Sequence, residues 1–192
     1  MFGLLLAIIY ISFISLGLPD ALLGSGWPII HEELNVPVSY AGIVSMIITI
    51  GTIISSFFSD KVIRKFGTGL VTAISVAMTA FALFGFSVSS HFWMLCLFSI
   101  PYGLGAGSVD AALNNFVALH YKARHMSWLH CFWGIGASLG PVIMGQCLIN
   151  GKHWTLGYEI VSFLQFGLSV ILFCSLKKKK KFDSSNNENK EN

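Results

Sequence analysis

Apolar residues run through this chain in long blocks, separated by short polar clusters at intervals of one bilayer-crossing helix. A hydrocarbon core of roughly 30 Å takes about 20 apolar residues of helix. Six stretches meet that length, at about 4–30, 39–58, 68–88, 92–119, 127–149 and 158–176. Residues 66–109 carry no Asp, Glu, Lys or Arg and are too long for one crossing, so the cluster Ser87, Ser89, Ser90 and His91 divides them in two. The other breaks fall at His31-Glu32-Glu33 with Pro37, at Asp60 to Gly67, at Tyr121 to His125 and at Asn150 to Gly157. Pattern alone therefore predicts an all-α membrane protein with six transmembrane helices. The first stretch has no Lys or Arg ahead of it and no small-residue cleavage site behind it, so it reads as a retained helix rather than a signal peptide.

Composition agrees with the pattern. Of the 192 residues, 54% are hydrophobic and 11% charged, where a soluble domain carries about 25% charged. The charge of +3 gains meaning only from its placement. With the N-terminus in the cytoplasm, the inner segments hold Lys61, Arg64, Lys65, Lys122, Arg124, Lys177 to Lys181 and Lys190, and the outer loops hold only Lys152. That asymmetry places both termini in the cytoplasm, in a cell membrane, and points to the lipid bilayer and away from nucleic acid as the partner of the basic residues. Residues 177–192, five lysines and then a polar run, should form a disordered cytoplasmic tail that fixes topology or meets anionic lipid. Cys96, Cys131, Cys147 and Cys174 have neither disulfide nor zinc spacing and read as small apolar residues.

Two carboxylates lie well inside the apolar stretches, Asp20 in the first and Asp110 in the fourth. A charge at the centre of a membrane helix costs ~2.5–3.5 kcal/mol on insertion scales, so such a residue faces a bundle interior or water. Neither has a Lys or Arg at comparable depth, which makes both candidates for reversible protonation; the bland alternative is a hydrogen bond to a neighbouring helix. Asn114 shares a face with Asp110 at i, i+4, in a row continued by Gly103 and Gly107, while Asn115 points about 100° away. Gly105 and Gly107 clear space for close packing or for a ligand. In the fifth stretch His130 and Trp133 share a face, a polar ring beside a flat aromatic that suits a sugar or another polar solute. Trp128 suits an interfacial belt. Gly136, Gly140, Pro141 and Gly145 read as close packing with a kink.

The strings Asp20-Ala21-Leu22-Leu23 and Asp110-Ala111-Ala112-Leu113 occupy similar depths in the first helices of two three-helix sets. Because those helices run in opposite directions, the echo predicts a 3+3 inverted repeat. Enzyme and metal signatures are absent. His31-Glu32-Glu33-Leu34-Asn35 has Asn where a zincin helix needs its second His, and His120, His125 and His130 turn about 140° from one to the next. The sequence calls for no cofactor and no metal.

Six helices and a basic segment after the second resemble the N-terminal half of a major facilitator superfamily transporter. The family's signature there, G-x-x-x-D-[RK]-x-G-[RK]-[RK], is matched at Asp60, Lys61, Arg64 and Lys65, with Ser56 and Ile63 in place of the glycines. Asp60 and Arg64 stand one turn apart and can pair; in the family this gating segment docks against the other half. Gly136 to Gly145 is similar to the family's fifth-helix string. The fucose-permease-like branch of sugar–proton symporters is closest in pattern, with an acid in helix 1 (Asp20), an acid then Asn in helix 4 (Asp110, Asn114) and polar sugar contacts at the positions of His130 and Trp133.

The resemblance implies one half of a major facilitator fold that moves a small, sugar-like polar solute. Asp20, Asp110, Asn114, His130 and Trp133 would bind it, and Asp110 with Asp20 would carry protons. It also implies a second six-helix unit, either a homodimer partner or a separate C-terminal half. A truncated product or a non-transporting subunit that modulates a partner is the alternative.

Overall fold

The structure, a computed structural model, describes residues 5–176. The tail expected to be disordered, 177–192, lies outside the described residues. Six apolar helices of membrane-crossing length follow one another: α1 (Leu5–Glu33), α2 (Tyr40–Phe66), α3 (Thr68–Ser87), α4 (Phe92–His120), α5 (Ala123–Ile149) and α6 (Trp154–Leu176). Several run past the apolar stretches that announce them. α2 continues through Asp60 and Arg64 to Phe66, and α5 begins at Ala123. Hydropathy marks only the part of a helix suited to hydrocarbon, whereas backbone hydrogen bonds continue into the headgroup region. Gly67, with φ 78°, is the one residue between α2 and α3; only glycine takes that left-handed conformation without cost.

Packing follows the expected repeat. α1 lies along α5, α2 along α4, and α3 packs against both α4 and α6. Exchanging the first three helices with the last three turns the α1–α5 contact into α4–α2 and α3–α6 into itself, as an inverted repeat requires, whereas the extensive α3–α4 contact has only a much smaller counterpart in α1–α6. Both crossings are built on glycine. Gly17 sits on the backbone of Trp133 and Ala137, and Gly136 and Gly140 sit on the carbonyls of Ile14 and Leu18. On the other side Gly103 meets the Ile48 carbonyl and Gly107 meets Thr52 and Ser55. Gly17 stands three residues before Asp20 and Gly107 three before Asp110, so the echo lengthens to G-x-x-D-A-x-L. The shared glycine is the helix contact, and the shared acid follows it about one turn later.

The α3–α6 contact uses hydrogen bonds as well as packing. Ser162 donates to the Ala80 carbonyl at 2.9 Å and Ser169 to the Ala73 carbonyl at 3.2 Å. Gln165, fully buried, accepts from Thr79 at 2.6 Å and donates to the Ser15 carbonyl at 2.7 Å. That last acceptor has a cause in the sequence. Proline at 19 has no N–H for the carbonyl four residues back, so Ser15 needs a donor from elsewhere. Just beyond Pro19, α1 is interrupted at Ala21: one helical stretch ends at Asp20 and the next begins at Leu22. The break puts Asp20 at the end of a helical segment near the middle of its span.

Candidate functional site

Asp20 is clamped between two other helices. Its Oδ1 accepts the Tyr102 hydroxyl of α4 at 3.0 Å, and its Oδ2 accepts the indole N–H of Trp133 of α5 at 2.9 Å. Tyr102 is buried at 3% exposure, whereas Trp133 keeps 40% of its surface open. One carboxylate oxygen thus meets the bundle interior and the other meets the open face. Two neutral donors suit an ionised carboxylate, and hydrogen bonds to a charged acceptor are stronger than those between neutral groups.

Asp110 is exposed on the same face and accepts the Asn114 side-chain amide on Oδ1 at 2.9 Å, the one-turn pairing that the spacing predicts. The Asn114 Oδ1 is buried and has no hydrogen-bond partner among the described residues. His130 lies within electrostatic reach of Asp110, and Asp110 within that of Asp20. All five residues singled out by sequence therefore gather on one side of the bundle. They form two bonded groups, Asp20 with Trp133 and Asp110 with Asn114, with His130 beside the second.

The structure adds two details to the reading by sequence. The Trp133 N–H is engaged by Asp20, which leaves the ring face as its open surface. Tyr102 was missed. A tyrosine in the middle of an apolar helix was the available signal, since a buried phenol needs a hydrogen-bond partner. Nothing in the spacing of Tyr102, 82 residues beyond Asp20, names that partner.

In the last turns of α2, Asp60 and Arg64 form the expected i, i+4 ion pair at 3.0 Å, with side chains 65% and 71% exposed. Lys61 and Lys65 lie over the rings of Phe58 and Phe66 at 5.9 and 5.2 Å. At the opposite end of the bundle Glu33 joins α1 to α6, accepting from Trp154 at 2.7 Å and pairing with His153 at 2.8 Å.

The bundle has six spans and holds two carboxylates, Asp20 and Asp110, on one open face. The chain belongs to the Major Facilitator Superfamily, whose family pattern it matches over residues 9–192, and it corresponds to an N-terminal six-helix half. It is similar to the glucose/mannose transporter GlcP of Bacillus subtilis, 21% identical over 93% of this chain and 45% of that protein. It is also similar to the quinolone resistance protein NorA of Staphylococcus aureus, 26% identical over 88% of this chain and 44% of that one. Synaptic vesicle glycoprotein 2C of Rattus norvegicus is 27% identical over 77% of this chain and 21% of its own length. The chain thus spans about half the length of the first two and less of the third.

Proposed function

We propose that this chain is the N-terminal half of a proton-coupled carrier for a small polar, sugar-like solute. One observation carries the reading. Asp20, Asp110, Asn114, His130 and Trp133 form a polar cluster on the open side of an otherwise apolar bundle. Each ionised carboxylate left against lipid would cost about 2.5 kcal/mol or more, so the face calls for water, a solute and a covering unit. A second parallel six-helix unit, another copy or a C-terminal half, would enclose it as a wet cavity. The solute would accept and donate hydrogen bonds to Asp110, Asn114 and His130 and lie against the open ring face of Trp133. Protonation of Asp110, assisted by Asp20, would remove charge from the cavity and allow rocking between outward- and inward-facing states. The Asp60–Arg64 segment would guide that motion at the cytoplasmic end.

Hexose binding to purified protein, followed by thermal stabilisation and by proton uptake in weakly buffered solution, tests the reading. A stabilising hexose should draw protons, and Asp110→Asn should keep binding while losing the uptake. Undiminished uptake in Asp110→Asn would remove the proton role from this residue. A second reading has one observation in its favour: the cluster holds two carboxylates and neither Lys nor Arg, which suits a solute bearing a positive charge. Stabilisation by quaternary ammonium compounds and by none of the hexoses would select it.

A further inference from the structure

On the Tyr102 side of Asp20 lies a half-open cavity of about 330 Å³, bounded by α1, α2, α3, α4 and α6; of the five residues of the solute cluster only Asp20 lines it. Its polar wall consists of Asp20, Ser45, Thr49, Tyr102 and Tyr158. Tyr158 is 1% exposed, and its hydroxyl has no hydrogen-bond partner among the described residues. A buried phenol left in that state is costly unless water reaches it. Water needs only ~10–15 Å³ and two to four polar partners, and this cavity exceeds both requirements. Among the described residues Asp20 is the one charged residue in the lining, which includes no Lys, Arg or His. At Gly24, also in the lining, an added Cβ would meet nothing within 4 Å.

We propose that this cavity is a water-filled, cation-selective vestibule through which protons reach Asp20 without crossing the solute face. The inference rests on the proton-coupled reading and assigns the entry route. Asp20 is built for two-sided access, with Oδ1 turned to Tyr102 in the vestibule and Oδ2 to Trp133 on the open face. A hydronium ion in the vestibule gives its proton to the carboxylate and leaves as water. The new carboxyl O–H then donates to the Tyr102 oxygen, and the Tyr102 proton turns toward vestibule water or the Tyr158 hydroxyl. The unpartnered Tyr158 thereby gains a place in the relay.

The titratable groups recorded around Asp20 are Tyr102 of α4, with Tyr158 of α6 beyond it, and Asp110 of α4 on the open face, where His130 of α5 faces Asp110. α2 and α3 face the cavity with Ser45, Thr49, Leu83 and Phe86, none of which titrates. The lining comes from the halves of the helices nearest the α1–α2, α3–α4 and α5–α6 connections. On the orientation expected from the lysines and arginines, that is the outer side.

Thiol accessibility tests the vestibule without requiring transport. Gly24→Cys, Ser45→Cys and, as an apolar exposed control, Val170→Cys are placed in a background free of native cysteines, in sealed vesicles. Each is treated with a trimethylammonium or a sulfonate methanethiosulfonate reagent. The first two cysteines should react and the control should not, because the reacting thiolate needs water. The cationic reagent should be faster by about tenfold, a preference that Asp20→Asn removes. If Gly24→Cys and Ser45→Cys are as inert as the control, the cavity is dry and the proposal fails. Equal rates for the two reagents would also overturn it, since Asp20 would then set no field there.

Infrared hydrogen–deuterium exchange of the carboxyl band that disappears in Asp20→Asn covers the remaining step. Gly24→Leu, which narrows the cavity, should slow the fast exchange phase, and an unchanged rate would overturn the route. None of these readings depends on hexose binding or on proton uptake at Asp110, so failure of the vestibule and failure of the carrier reading remain distinguishable.

Discussion

Gln165 shows how one side chain can answer a defect written elsewhere in the chain. Pro19 leaves the Ser15 carbonyl without its helical donor, and the Gln165 amide supplies one at 2.7 Å from α6 while its oxygen accepts from Thr79 of α3. Replacing it by leucine keeps the volume but orphans the buried Ser15 carbonyl, while the Thr79 hydroxyl still has the Val76 carbonyl at 2.9 Å. Such an orphaned group costs ~1–3 kcal/mol, so Gln165→Leu should lower thermal stability in detergent clearly, and Gln165→Glu should do so less near low pH. The Asp60–Arg64 pair gives the opposite expectation. Its side chains are well exposed, and exposed pairs contribute about 0–1 kcal/mol. Asp60→Asn should leave the melting temperature nearly unchanged while slowing exchange between conformations, measured by labelling rates on the open face. A large loss of stability would assign this pair a structural role instead.

At the scale of elements, the glycines divide into two sets that sequence alone does not separate. Gly136 and Gly140 lie against the backbone of α1, where an added Cβ would strike the Ile14 and Leu18 carbonyls. Gly134 and Gly145, on the same helix, have nothing within 4 Å of such a Cβ. Overpacking a close contact costs about 1–3 kcal/mol, more where the obstacle is backbone and cannot turn aside. Gly136→Val and Gly140→Val should therefore destabilise the bundle and separate α1 from α5. Gly134→Ala and Gly145→Ala should be neutral or slightly stabilising, because alanine favours helix. Thermal unfolding of the four variants in one detergent checks the contrast. Equal behaviour of the two sets would contradict the α1–α5 contact and, through the repeat, the α2–α4 contact.

For the whole molecule, the testable quantity is its placement in the membrane. Single-cysteine labelling of intact cells should reach Asn150→Cys and Glu33→Cys, and should reach Lys122→Cys only after permeabilisation. The expectation comes from the charge asymmetry of the connections, and labelling of Lys122→Cys in intact cells would invert the orientation. The open face carries a second expectation. Asp20 and Asp110 share a surface that hydrocarbon would penalise, so cysteines placed beside them should crosslink to a covering six-helix unit. The choice between a second copy and a C-terminal half is read from the mass of the crosslinked product.

What the sequence determined by itself is what depends on neighbours along the chain. Six apolar stretches dictate six helices because an unpaired backbone group is too costly in hydrocarbon. One-turn spacing puts Asn114 on the face of Asp110 and brings Asp60 within reach of Arg64. The DAxL echo announced an inverted repeat, and its packing followed. What tertiary structure alone decided are contacts between residues far apart in the chain. Tyr102 and Trp133 reach Asp20 across 82 and 113 residues, and Gln165 reaches Ser15 across 150. A helix fixes which side chains share its face but not which helix comes to lie against that face. That choice belongs to the close contacts of Gly17, Gly107, Gly136 and Gly140, and these exist only once the helices have crossed.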